Sequence, residues 1–410
     1  MTQVEREFLK ILESFMHDKE YHFPENFTAL EEMKQLSGIH NVVAMVYEQT
    51  RGEEIWKKAN FQNLEMQFRK TSIYKVMTQI QRTETFLRVY KLLCERGVCP
   101  LVVKGIICRN FYTKPDYRVS GDEDMLIRKS DFEICDEILR KEGFTRSEFD
   151  TQHMPYEIPY MHKKTGTYIE LHFALFPEET GAYGYLNKEF EHVFENCIRE
   201  RIQGIEIFTL NPTEHMFYLI CHSFKHFLHS GFGIRQVCDM VMMAERYGKR
   251  IDWKKINIRL STLNIVYFWS GLSEIGRKYL GFDWKRAGYD RKFQKEDIAL
   301  EDLMQDILKA GIYGDSSMER KHSSNMTLAA VAIGKKSTIL SLKESLFPSR
   351  EYMKEKYRWL EKYLFLLPVA WIMRIGTYLL KRERRGQEEA FVLEIGMERV
   401  ELLKKYKIIK

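Results

Sequence analysis

The chain has 410 residues, 44% of them hydrophobic and 30% charged, which excludes a disordered or fibrous protein and leaves room for two or three domains. Sixty-four basic residues against 58 acidic ones give a net charge of +6, too mild an excess to argue for nucleic acid as a partner. Seven cysteines, an odd number with no CxxC, argue against a disulfide framework or a zinc ribbon.

The first twenty residues mix charges into their apolar pattern and hold no signal-peptide core, which predicts a cytoplasmic protein. Residues 1–98 read as helical. Phe8, Leu9, Leu12, Phe15 and Met16 recur at helix spacing, as do Leu30, Met33 and Leu36. No proline and no clear stop interrupts 55–96 before Arg96-Gly97, so one long helix or two abutting ones are expected. Such helices serve as a scaffold, or as an array packed against a functional site.

Residues 99–211 read as an α/β unit. An apolar run, Leu101-Val102-Val103, stops at Lys104-Gly105, and a helix-compatible segment follows from Ile106 to Tyr112. After a turn at Lys114-Pro115-Asp116, a second strand carries Asp122 and Asp124 into Met125-Leu126-Ile127. Successive strand residues face opposite sides, so these two aspartates share a face. Two carboxylates on one rigid face, with Gly105 at a helix mouth nearby, suit a hydrated divalent cation and a polyphosphate. Ser130 and Asp131 are expected caps for a helix from Phe132 to Lys141 that ends at Gly143. Glu157 to His162 and Thr167 to Phe173 flank Lys163-Lys164-Thr165-Gly166 and read as a β-hairpin, with Glu170 and His172 on one face. Ile205 to Leu210 reads as a last strand before Asn211-Pro212-Thr213 opens the next helix. If the Glu170 strand pairs with the Asp122/Asp124 strand, three carboxylates converge, enough for two metals roughly 3.5–4 Å apart. That pairing is assumed at this point.

Residues 212–410 read as helical. His215, His222, His226 and His229 fall within Glu214 to Phe232, and His222 and His226 have the i,i+4 spacing of helical zinc sites. No HExxH and no intervening acid accompany them, so a dedicated metal site is disfavoured. One or two of these histidines, with Lys225, are instead expected to reach a functional site, while the others pack or are solvated. Arg235 and Asp239 can pair along a helix face, and Asp252-Trp253 reads as a cap with a core aromatic. The 18-residue stretch Tyr363 to Leu380 contains Pro368, Arg374 and Gly376, which favours a buried helix over a membrane span. Contact with a membrane surface through Lys381 to Arg385 is the lesser alternative.

Lys104-Gly105, Arg118-x-x-Gly121-Asp122-x-Asp124 and Ile169-Glu170-Leu171-His172 resemble the polymerase-β-type nucleotidyltransferase superfamily. More narrowly they resemble an uncharacterised bacterial family with the pattern LKG…LYxxxxxRxxGDxDhLV…h(E/D)LH. Gly38 to Val43, His222-x-x-Lys225-His226, Arg235-x-x-x-Asp239, Ile251-Asp252-Trp253 and Leu346-Phe347-Pro348-Ser349 extend the likeness over most of the chain.

The resemblance implies an α+β fold. A mixed-sheet polymerase-β-like core with helices on one face would be flanked by N-terminal and C-terminal helical regions. It implies transfer of a nucleoside monophosphate from an NTP (ATP among the four) to a small-molecule, RNA or protein hydroxyl, with two Mg²⁺ or Mn²⁺ ions. Asp122, Asp124 and Glu170 would be the catalytic metal ligands, and Lys104, Gly105, Arg118 and Gly121 would bind nucleotide. His172, His222, Lys225 and Arg235 would support the site or the acceptor. The residue between the aspartates is usually apolar; here it is Glu123, expected to face away from the metals on a polar or edge-exposed side. Glu123, and the absence of Ser after Gly105, lend weight to an alternative: a degenerate nucleotide-binding regulatory or toxin–antitoxin-type protein without turnover. A helical interaction protein is the third reading. It requires that Asp122, Asp124 and Glu170 do not cluster.

Overall fold

The computed structural model describes residues 1–146, 155–178, 180–311 and 395–409, together with 327, 328, 331, 353, 357, 360, 367–371 and 373. Helices α1 (Gln3–Met16), α2 (Leu30–Ile39) and α3 (Val43–Thr50) bury Phe8, Leu9, Leu12, Leu30 and Met33, the side chains that set their helical period. Residues 62–95 form one uninterrupted helix, α4 (Gln62–Glu95), of 34 residues. It ends at Arg96-Gly97, where Gly97 takes a positive φ.

Among the described residues, five strands make a mixed sheet in the order β1-β2-β5-β4-β3. They are β1 (Leu101–Val102), β2 (Glu123–Leu126), β3 (Phe144–Arg146), β4 (Glu157–His162) and β5 (Tyr168–His172). The pair β2–β5 is parallel and sets Asp124 against Glu170 and Leu126 against His172; the other neighbours are antiparallel. The assumed pairing of the two acidic strands is therefore present. The hairpin β4–β5 turns through Gly166, whose positive φ admits no side chain cheaply.

Two helices depart from the sequence reading. The helix after Lys104-Gly105 is only one turn, α5 (Ile106–Arg109), although a run to Tyr112 was expected. Helix α6 (Phe132–Lys141) has the expected bounds, but neither Ser130 nor Asp131 caps it through a side chain. The Ser130 hydroxyl donates to the Asp131 carboxylate instead, so the two capping groups satisfy each other.

The last strand is present within one residue of its expected bounds. It pairs with an overlooked strand, β6 (Ile198–Ile202), as a separate antiparallel ribbon with β7 (Ile205–Thr209). The Thr209 hydroxyl donates to the Val102 carbonyl at 2.6 Å, tying this ribbon to β1. Helices α7 (Pro212–Leu228), α8 (Ile234–Tyr247), α9 (Trp253–Thr262), α10 (Val266–Tyr279) and α11 (Leu300–Ala310) follow, and a further helix covers 395–405.

One continuous apolar core runs from Phe8 in α1 to Tyr406 and includes Met125 and Leu126 of β2 and Ile169 and Leu171 of β5. His40 joins distant parts of it. Its Nε2–H donates to the Leu308 carbonyl, and its Nδ1 accepts from the Ile234 N–H. Among the described residues no helix is long and apolar enough to cross a membrane. The expected turn at Leu346 to Ser349 and the basic cluster Lys381 to Arg385 lie outside the described residues, as does most of Tyr363 to Leu380.

Candidate active site

Register places the acidic residues. Asp124 and Glu170 are direct partners on the parallel strands β2 and β5, and His172 lies two residues beyond Glu170 on the same face. Ligand atoms of Asp124, Glu170 and His172 all lie within 4.8 Å of one another, a group of two carboxylates and an imidazole. Asp122 is outside this group. It directly precedes the first paired residue of β2, so the ladder does not fix it; it is part-exposed and lines an adjoining cavity.

The group is charged and dry. Asp124 is 1% exposed, with the Lys104 ammonium 2.7 Å from its Oδ2 and His172 Nε2 3.1 Å from its Oδ1. His172 Nε2 also lies 3.3 Å from Glu170 Oε2, while its Nδ1 faces Glu157 Oε2 at 3.5 Å. Burial opposes a charge on His172, but the Asp124 and Glu170 carboxylates outweigh it and push its pKa up to about 9. Burial likewise disfavours ionised Asp124, yet Lys104 and His172 hold its carboxyl well below the usual range. Glu170 moves the other way: burial, then the negative charges of Asp124 and Asp122, raise its pKa.

Beside the group lies an open cavity bounded by 104–108, 118–122 and helices α7 and α8. From the expected set, Asp122, Lys104, Gly105, Arg118, Gly121, His222 and Arg235 all line it, and His226 joins them. Lys225 lies on α7 with its ammonium 5.9 Å from the centre of the Tyr156 ring. Burial and the nearby Lys104 charge lower its pKa. His222 and His226 have their Nε2 atoms 3.3 Å apart, and burial with the neighbouring Lys104 and Lys225 charges holds both well below the ordinary histidine range. This lining suits an anion better than a cation.

Three expected residues are engaged structurally. Arg118 grips Asp239 of α8 through both ends of its guanidinium, and Tyr112 donates to the same carboxylate at 2.8 Å. Arg235, expected to pair with Asp239, donates to the Val119 carbonyl and so holds the loop that leads into Gly121. Gly105 lies at φ +54°, and a Cβ there would come within 2.0 Å of Glu123 Oε2. That carboxylate oxygen accepts the Ile106 N–H at 2.6 Å, so the N–H expected to face phosphate is already taken.

Glu123 is thus buried, not edge-exposed. Alternation turns it to the side of β2 opposite Asp124, where it ion-pairs with Arg109. Arg109 also donates to Ser120 at 2.6 Å and to Thr83 of α4, and Gln79 of α4 accepts the Ser120 N–H at 2.8 Å. The long helix therefore positions the loop before Asp122. Sequence reasoning missed Arg109 and Glu157, and it set Asp239 against Arg235 where the structure sets it against Arg118. An acid at position 123 on a strand buried on both sides needs a buried cation, and Arg109, one turn after Gly105, supplies it. Glu157 was legible, since the hairpin register puts it opposite His172.

A family model described as "Uncharacterised nucleotidyltransferase" matches residues 30–272, more than half of the chain. No curated protein and no solved structure matches it.

Proposed function

The chain belongs to this nucleotidyltransferase family, and on that premise we propose that it transfers a nucleoside monophosphate from an NTP to an acceptor hydroxyl, with release of pyrophosphate. The observation that carries the reading is the Asp124–Glu170–His172 group set beside a cavity whose lining includes Lys104, Arg118 and Arg235. The fold reading that goes with it is a polymerase-β-like core, with 1–98 and 212–410 as its helical flanks and 99–211 as the α/β part.

The donor set fits a divalent cation. Two carboxylates and an imidazole converge within 4.8 Å, a mixed oxygen and nitrogen set. Asp124 and Glu170, with His172, would hold one Mg²⁺ or Mn²⁺, and Asp122 would join Asp124 at a second on the nucleotide side. Bound divalent ions would supply phosphate charge neutralisation and a lowered pKa for the attacking hydroxyl.

The remaining roles belong to side chains. Lys104 and Lys225 offset the charge of the β- and γ-phosphates, and the neutral His222 and His226 offer ring N–H groups to their oxygens. Glu170, whose pKa burial and its acidic neighbours raise, takes the proton of the acceptor hydroxyl. The acceptor oxygen then bonds to the α-phosphorus, the α–β bridge breaks, and pyrophosphate leaves into the cavity. Arg118 and Arg235 act through Asp239 and Val119, holding the Gly121 loop in place.

The reading without turnover drew on Glu123, whose charge is spent on Arg109 away from the carboxylate group. It is therefore the second choice. Glu170→Gln separates the two: it is expected to leave NTP binding within a few-fold while lowering pyrophosphate release at least a hundredfold. Equal loss of binding and turnover would remove Glu170 from the acceptor side.

A further inference from the structure

We propose that Lys104 is a resident counter-cation: it keeps Asp124 closed to a divalent ion alone, and yields when a polyphosphate enters the neighbouring cavity. The inference rests on reading Asp124, Glu170 and His172 as metal ligands. It assigns Lys104 a gating role beyond contact with phosphate.

The geometry gives three grounds. First, the Asp124 side chain is 1% exposed, and the Lys104 ammonium is the cation set against its Oδ2. Its 2.7 Å approach to Oδ2 fills a position that an ion ligated by that oxygen would need. Second, the partner of Oδ2 is a mobile side-chain ammonium, so that oxygen becomes a competent ligand once Lys104 moves.

Third, Lys104 also lines the cavity, so one side chain serves both compartments. An ammonium displaced into the cavity meets His222, His226 and the charge of Lys225, and among carboxylates it meets Asp122, since Asp239 is gripped by Arg118. Moving Lys104 off Asp124 therefore exchanges a buried carboxylate partner for the part-exposed, better solvated Asp122, a weaker one, until an anion arrives. A triphosphate brings several negative charges to that wall and receives the ammonium, which frees Asp124 for the ion. Metal and polyphosphate then favour each other's binding, as reciprocal coupling requires. Lys104 is on this account a positioning residue for the metal.

The test is a titration of the full-length protein with Mn²⁺ alone, following free ion by electron paramagnetic resonance, for wild type, Lys104→Met and Lys104→Arg. Lys104→Met is expected to bind Mn²⁺ at least tenfold more tightly than wild type, and Lys104→Arg, which keeps the charge, to behave as wild type. Near-ultraviolet circular dichroism checks the fold, and Lys104→Gln replaces the methionine variant if that one misfolds. Equal Mn²⁺ affinity in wild type and Lys104→Met, lost in both on Asp124→Asn, would overturn the gating role and leave the ligand assignment standing. No Mn²⁺ bound by any variant, with or without NTP, would overturn both.

Discussion

Glu123 lies between two aspartates in sequence, yet its side chain leaves their company. β-alternation sends it to the far side of β2, where Arg109, the Ile106 N–H and the absent Cβ of Gly105 form its socket. Both partners of the ion pair are fully buried, so removing one charge strands the other. Arg109→Met is expected to cost about 3–5 kcal/mol in urea denaturation. The double change Arg109→Met, Glu123→Leu should cost clearly less, because it leaves no lone buried charge. Additive losses would show that the two side chains do not act as a pair. The same geometry accounts for Gly105 by steric demand at φ +54°, where phosphate approach was the expectation.

Elements show which sequence signals carry over and which do not. Asn211-Pro212-Thr213 reads as a helix start because each residue has a local job. The Asn211 side chain accepts the N–H groups of Thr213 and Glu214, both at 3.1 Å, and Pro212 needs no partner at the first helical position. Asn211→Ala should cost about 1 kcal/mol in denaturation while NTP affinity stays within twofold, since the cavity residues His222 and His226 lie turns away on α7. A large loss of affinity would mean that the cap sets the position of the whole helix. The long helix α4, helix α6 and the β4–β5 hairpin were legible for the same reason: period and punctuation are local. The parallel pairing of β2 with β5 is long-range, and no residue announces it; it entered the sequence reading only as an assumption. The β6–β7 ribbon was missed although its signals are present. Arg199 and Arg201 alternate with part-buried neighbours, and Gln203 and Gly204 both turn at positive φ. What was not legible at all is ion pairing across distance, such as Arg118 with Asp239, because every surface offers many such pairs.

At the scale of the molecule, the core is continuous through the three regions that sequence composition separates, and 1–98, 99–211 and 212–410 stand as a proposed organisation by element type. His40 is one seam. Burial, aided by the Arg235 charge, lowers its pKa to about 4, and both ring nitrogens are committed in the neutral form. A group with a depressed folded pKa binds fewer protons folded than unfolded, so it stabilises above about 6.5 and that stability is lost as pH falls toward 4. The loss from His40 should reach roughly 3 kcal/mol across that window, and His40→Asn should flatten the acid side of the stability curve. An unchanged slope would assign the acid sensitivity to other groups, of which His215, also lowered to about 4, is the next. The central claim concerns the whole site, and one measurement reaches it without knowledge of the acceptor: calorimetric titration of each NTP into the protein with Mn²⁺ and with chelator, for wild type and Asp124→Asn. Binding of at least one NTP that needs the metal and is lost in Asp124→Asn is the expected result. NTP binding that ignores both the metal and the substitution, or no binding by any of the four, would contradict it.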